Sequence, residues 1–354
     1  MLIHHFITNM AFNKRFAYNL SDLSLYRTQL MGIATLMIII CHSSGSNVIM
    51  PDLLKFLFRY GNLGVDIFLF LSGIGLYFSL NKDNLSSQKD YLSFYKRRFY
   101  RIYIPYLMVY VPFCLIFMLL GKYSVCDSIL CLSAFEYWLF HRGAWFVSLI
   151  VLLYLVVPFL YKALTGKHKW IIAIGIIIVL MILGNIPIAN QSLTSVLYNI
   201  QRALCRVPCF IAGITIGHSC KEGKQITTTE MVVFVIATII SSFIFGLWKC
   251  TWLIVPIILY LSTLLIKWSK SSWIDKSLRL LGKISLESYL TNITINGILI
   301  ALIPAYIVSP VFYGRYLEYT IVVFAGLSLA YMVYNAAQKI TTRISRVSNP
   351  MTRT

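Results

Sequence analysis

A few polar groups stand where an apolar chain does not place them without reason. The first is His42, which closes the run LMGIATLMIIICHSS over residues 30–44. An imidazole in a hydrocarbon-depth segment needs a polar partner or water, and it exchanges a proton near neutral pH. Its chemistry would be that of a general base; the plainer alternative is an interfacial histidine at a helix end. Asp66, in GNLGVDIFLFLSG over 61–73, stands at a similar depth. A carboxylate there could hold the imidazole in one tautomer, or simply favour a helix N-terminus. Ser72 and Gly73 follow, small residues suited to close helix packing, with no need for Ser72 to be a nucleophile. In FYKRRFYRIYIPY, over 94–106, Arg98 and Arg101 are spaced i, i+3 and share a helix face. Guanidinium forks suit phosphate oxygens, as lipid headgroup anchors or as a grip on a phosphorylated cofactor. Ser285, Ser288, Asn292 and Asn296 repeat at three- and four-residue steps and line one face, with Glu287 off its centre. Arg202 and Arg206 are spaced i, i+4 beside Pro208, fit either to hold a sugar or diphosphate or to anchor at the interface.

The elements that must position these groups are membrane helices. Of 354 residues, 58% are hydrophobic and 12% charged, where soluble domains carry roughly 25% charged residues. Mean hydropathy is +0.76. Apolar runs predict about ten spans, near 25–45, 61–80, 99–120, 145–164, 170–189, 203–219, 230–247, 250–267, 282–303 and 317–338. The fold class expected is all-α, a polytopic membrane helix bundle. With the N-terminus inside, 23 of the 31 Lys and Arg fall on the inner side and 8 outside, which puts both termini in the cytoplasm. The net charge of +19 therefore reads as topology, and nucleic-acid binding is excluded by the lack of any matching module. Residues 1–24 read as a cytoplasmic segment without a cleavable signal, 25–338 as the membrane domain and 339–354 as a basic tail. The eight cysteines show no metal-site spacing, so no metal is expected; a Cys126–Cys131 disulfide in the outer segment 121–144 stays open, as does whether that segment lies along the interface or dips into the bundle. The absence of internal repeats weighs against an inverted-repeat transporter.

Six segments in order resemble the acyltransferase 3 family, from about Arg27 to Asn335. LMGIATLMIIICH is similar to its first helix, which ends in histidine, and GVDIFLFLSG to its second-helix signature. FYKRRFYRIYIPY resembles the family's Arg-x-x-Arg segment, AWFVSLIVLLYLVVPFL over 144–160 its Trp-Phe segment, and RVPCFIAGITIG and LGKISLESYLTN complete the series. The resemblance implies an integral-membrane O-acyltransferase that moves an acyl group, commonly acetyl, from acyl-CoA to a hydroxyl of a surface polysaccharide or lipid-linked glycan. It implies a bacterial cytoplasmic (inner) membrane location, the bilayer as partner, and no permanently bound cofactor. Carried over residue by residue, it makes His42 and Asp66 catalytic, and Arg98 and Arg101 donor-binding. Ser72, Trp145, Ser288, Tyr289 and Asn292 would line the site; Arg202 and Arg206, on the reading of the residues themselves, are the acceptor-binding pair expected. Two positions depart from the family pattern: Met31 stands where an arginine is usual, and Asn292 where histidine is frequent. Arg27, one turn before Met31, is placed to substitute by snorkelling. Two other readings use the same residues: a carrier or flippase for a lipid-linked glycan, and a family member serving in binding or assembly without activity.

Overall fold

The computed structural model describes residues 18–45, 50–83, 85, 87–188, 194–245, 251–269, 272–302 and 316–348. Most of the N-terminal segment, including His4 and His5, lies outside the described residues, as do Cys250 and the end of the basic tail. Helices joined by turns and short irregular stretches make up these residues, with one antiparallel pair, Tyr18–Asn19 (β1) with Gln225–Ile226 (β2). The helices in order are α1 Ser21–Leu25, α2 Arg27–Gly45, α3 Asp52–Arg59, α4 Leu63–Asp83, α5 Gln88–Leu119, α6 Val125–Leu132, α7 Glu136–Phe140 and α8 Trp145–Thr165. Then come α9 Lys169–Leu183, α10 Thr194–Leu204, α11 Val207–Glu222, α12 Thr228–Phe245, α13 Thr251–Ser269, α14 Ser272–Lys283, α15 Ser285–Leu302 and α16 Tyr316–Ser348.

Six stretches among the described residues are long and apolar enough to cross a membrane: 52–83, 88–119, 145–165, 195–222, 252–269 and 319–344. Helices α9 and α12 are apolar but shorter, and α2 and α15 are helices where the sequence places the remaining spans. Length and apolarity thus mark six candidate crossings among the described residues, and the expected count of ten is not established.

The stretches containing α4 and α11 are 78% buried, while the others are 28–44% buried. These two helices form the centre, and the others turn apolar faces outward. Leu115 on α5, Phe159 on α8, Phe243 on α12, Leu265 on α13 and Phe324 on α16 are all exposed, as a lipid-facing belt requires. The centre is close-packed because small residues meet there. A Cβ on Gly73 would strike the Phe210 carbonyl, and one on Gly213 the Phe70 carbonyl, so the α4 and α11 backbones touch. Helix α2 meets α14 in the same way, Gly32 against the Leu278 carbonyl and Gly282 against the Thr28 carbonyl. Gln29 Nε2 donates to Asp275 Oδ1 (2.9 Å) across that joint. Gly282→Ala should therefore separate α2 from α14 and cost about 1–3 kcal/mol, the range for overpacking a tight contact. Thermal unfolding in detergent checks this; an unchanged midpoint would mean the two backbones do not approach so closely.

Several elements differ from the sequence reading. The span expected at 203–219 is broken at Cys205 and Arg206: α10 ends, Arg206 caps α11, and Pro208 sits in the first turn, where its missing N–H is harmless. Arg202 and Arg206 therefore do not share one helix face. Helices α3, α10 and α14 are amphipathic segments inside what read as connections. The segment 121–144 dips into the bundle, with Cys131, Glu136 and Tyr137 buried and the Tyr123 hydroxyl donating to Glu136 Oε1 (2.7 Å). Cys126 is exposed and Cys131 buried, both as free thiols. Residues 18–25 pack onto the bundle through buried Tyr18, Leu20 and Leu23, and the Lys267 ammonium meets Asp22 at 2.6 Å.

Candidate active site along the first long helix

At its N-terminal end, α2 contributes Arg27. The Arg27 Nε donates to the Leu71 carbonyl at 3.0 Å, so the guanidinium lies flat on the α4 backbone. Gly75 makes this possible: a Cβ there would come within 2.7 Å of Arg27 Nη2. Helix α5 brings Arg98 and Arg101 to the same place, and all three arginines line one cavity of about 240 Å³ with Met31, Ser72 and Tyr154. Arg98 is sandwiched between the Phe94 and Tyr154 rings, at 5.4 and 6.0 Å from their centroids. Its Nε is buried with no hydrogen-bond partner among the described residues. Three guanidinium groups without a carboxylate in the cavity wall make a site for an anion. Arg27 thus reaches the cavity beside Met31.

His42 lies 15 residues further along α2, about 22 Å by helix rise. It lines a second, small cavity of about 10 Å³, on the order of one water. Four residues, Ile38, Phe68, Ser285 and Tyr289, line both cavities, so one wall runs from the arginines to the imidazole. The polar face of α15 supplies part of this wall through Ser285, Ser288 and Asn292. His42 Nδ1 donates to Asn292 Oδ1 at 2.9 Å. An amide oxygen only accepts, so Nδ1 carries the proton and the lone pair lies on Nε2. The Tyr289 hydroxyl accepts from the Phe146 backbone N–H at 3.2 Å, which fixes that ring in the wall. Ser72 lines the arginine cavity and Ser288 the histidine cavity.

The anchor found for the imidazole is Asn292, not the expected Asp66. The Asp66 carboxylate is bound by Arg206 Nη1 in a close ion pair, with the acid side chain 0% and the arginine 8% exposed. The physical reason is the packing of α11 against α4. It brings the N-cap of α11 beside the first turn of α4, and a buried guanidinium there requires a counter-charge. That pair also holds Arg206 in the interior instead of at the surface, where an acceptor-binding role needed it. Arg202 is exposed, its guanidinium 5.8 Å from the centroid of the Trp145 ring. Trp145 precedes Phe146, whose N–H is bound by Tyr289 of the His42 cavity, so Arg202 belongs to the histidine end of the molecule.

Sequence reasoning missed Gly75 and Tyr154, which shape the arginine cavity. Gly75 gives no polar signal, and Tyr154 is one of 23 tyrosines in an aromatic-rich chain. Phe68, in both cavity walls, likewise reads as core.

No curated protein and no solved structure matches the chain significantly. The model of a family described as an acyltransferase domain matches residues 29–335, nearly the whole length; the match covers α3 to α15, most of α2 and α16, and every lining residue of both cavities except Arg27. The chain belongs to this family, acyltransferase 3.

Proposed function

We propose that the protein transfers an acyl group from acyl-CoA, acetyl-CoA being the simplest donor, to a hydroxyl of a surface polysaccharide or lipid-linked glycan, with His42 as general base. The single observation that carries this reading is the shared wall between the arginine cavity and His42. A donor for this arrangement must have phosphates at one end, a narrow arm, and a reactive carbonyl at the other, far along α2. An acyl-pantetheine thioester on a nucleotide diphosphate has that form. The cavity is smaller than the roughly 300–1,000 Å³ that encloses a drug-sized ligand, so most of the nucleotide would protrude at the arginine end.

In the reaction, the acceptor hydroxyl gives its proton to His42 Nε2 as its oxygen attacks the thioester carbonyl. The new C–O bond forms, the C–S bond breaks, and the thiolate leaves and takes the proton back from the imidazolium. Asn292 holds Nδ1–H throughout, so the lone pair stays on Nε2. The Lys/Arg bias supports a cytoplasmic arginine end, where acyl-CoA is made, and an outer histidine end, where glycans pass. It likewise supports a bacterial inner-membrane protein with both termini inside. Arg98→Ala should raise the KM for acyl-CoA about tenfold or more, in keeping with the loss of a charge-assisted contact, and leave the KM for the carbohydrate unchanged. Initial rates with purified protein in lipid nanodiscs test this. An unchanged donor KM for both Arg98→Ala and Arg101→Ala would remove the cavity from the mechanism.

A further inference from the structure

At the histidine end, α7 and α10 form a second cluster that the transfer chemistry does not use. Asn199 of α10 donates from Nδ2 to the Tyr137 and Trp138 carbonyls, at 2.9 and 3.3 Å. Its Oδ1 makes a short hydrogen bond with His141 Nδ1. Ala134 and His141 bracket α7 in left-handed conformations, φ 62° and 57°. The segment is therefore pinned to α10, and with it the relation between Tyr137 and Arg202.

Three features of this cluster ask for a ligand. Arg202 is exposed over the Trp145 ring, and among the described residues no carboxylate pairs with it. Tyr137 is 3% exposed, and its buried hydroxyl has no hydrogen-bond partner among the described residues. Such a group is costly to leave unmade. The Trp145 ring lies 5.8 Å from the Arg202 guanidinium and 6.2 Å from the Tyr137 ring, and the next residue, Phe146, binds Tyr289, a wall of the His42 cavity, through its N–H.

We infer that Arg202 and Tyr137 form a specificity subsite for an acidic sugar, a pyranose bearing a carboxylate, which presents its neighbouring hydroxyl to His42. This inference rests on the acyl-transfer reading and narrows its acceptor. One planar guanidinium fork and one phenolic donor match the two oxygens of a carboxylate. A phosphate-bearing group is better served by the three-arginine cluster at the opposite end. Trp145 holds the Arg202 fork in place, so little side-chain freedom is lost on binding.

The test is binding and turnover by the full chain in phosphatidylcholine nanodiscs, with tetragalacturonate as the acidic probe and maltotetraose as the neutral one. The wild type should bind and acylate the acidic probe in preference. Arg202→Gln should weaken acidic binding about tenfold with no change for the neutral probe, and Arg202→Lys should recover part of it. Tyr137→Phe, which removes only the oxygen, should also lower the preference. Equal binding of both probes, or an Arg202→Gln protein with an unchanged preference, would overturn the inference. So would loss of the preference when phosphatidylglycerol is added to the disc, because Arg202 would then be a headgroup anchor. His42→Gln keeps the two readings apart: it should bind the acidic probe as the wild type does and form ester about 10²–10⁴-fold more slowly. Binding without ester formation by the wild type itself would defeat the acyl-transfer reading and leave the subsite standing.

Discussion

His42→Gln should lower acyl transfer by about 10²–10⁴-fold, the usual contribution of a positioned general base, in a protein that still folds. Glutamine is similar in size and can donate its amide N–H to Asn292 Oδ1, so the hydrogen bond across α2 and α15 survives. What is lost is a nitrogen that can take and return a proton. The half-buried position of His42, beside a cavity with room for about one water, leaves little solvent to replace it. The measurement is kcat in nanodiscs, with the thermal midpoint as the control for folding. An interfacial histidine that only ends a helix predicts no change in kcat, so turnover near the wild-type rate would exclude the base role.

Asp66→Ala should destabilise the protein by about 3–5 kcal/mol, because it strands the Arg206 guanidinium in the interior. The pair is the most deeply buried ion pair among the described residues, and it joins the two helices at the centre of the bundle. Removing both charges as Asp66→Ala with Arg206→Met should recover much of the loss, since no buried charge then lacks its partner. Unfolding midpoints of the single and double variants in one detergent decide the matter. Equal stability of Asp66→Ala and wild type would show that the pair does not hold α4 to α11. Full recovery of stability in the double variant with normal kcat would place Asp66 in the framework, not the chemistry.

The helices and the polar residues of the site were legible because apolar run length and three- and four-residue spacing are local properties. Ser285, Ser288 and Asn292 do share a face, and that face does line the cavities. Partners were not legible. His42 and Asn292 are 250 residues apart, and Asp66 and Arg206 are 140 apart; spacing fixes a face but not what meets it. Equal depth in the membrane made Asp66 look like the partner of His42, yet the rotation of α4 turns its carboxylate to α11. The break between α10 and α11 was hidden because apolar residues continue through Cys205 and Val207, so only Pro208 marked a new first turn. Arg27 was readable as a substitute for the missing arginine at position 31, but the role of Gly75 in making room for it depends on a contact between α2 and α4 that spacing does not encode.

The central claim is that one wall carries an acyl thioester from three arginines to a histidine base. The most direct measurement is the fate of an acyl label. Protein in nanodiscs receives acyl-labelled acetyl-CoA and a carbohydrate acceptor, and the label is followed with the free thiol released. The account predicts an O-ester on the carbohydrate, with thiol released in equal amount and both slowed about 10²–10⁴-fold in His42→Gln. Label that stays on CoA across donors and acceptors, while the same protein in liposomes moves a lipid-linked glycan between leaflets, would contradict it.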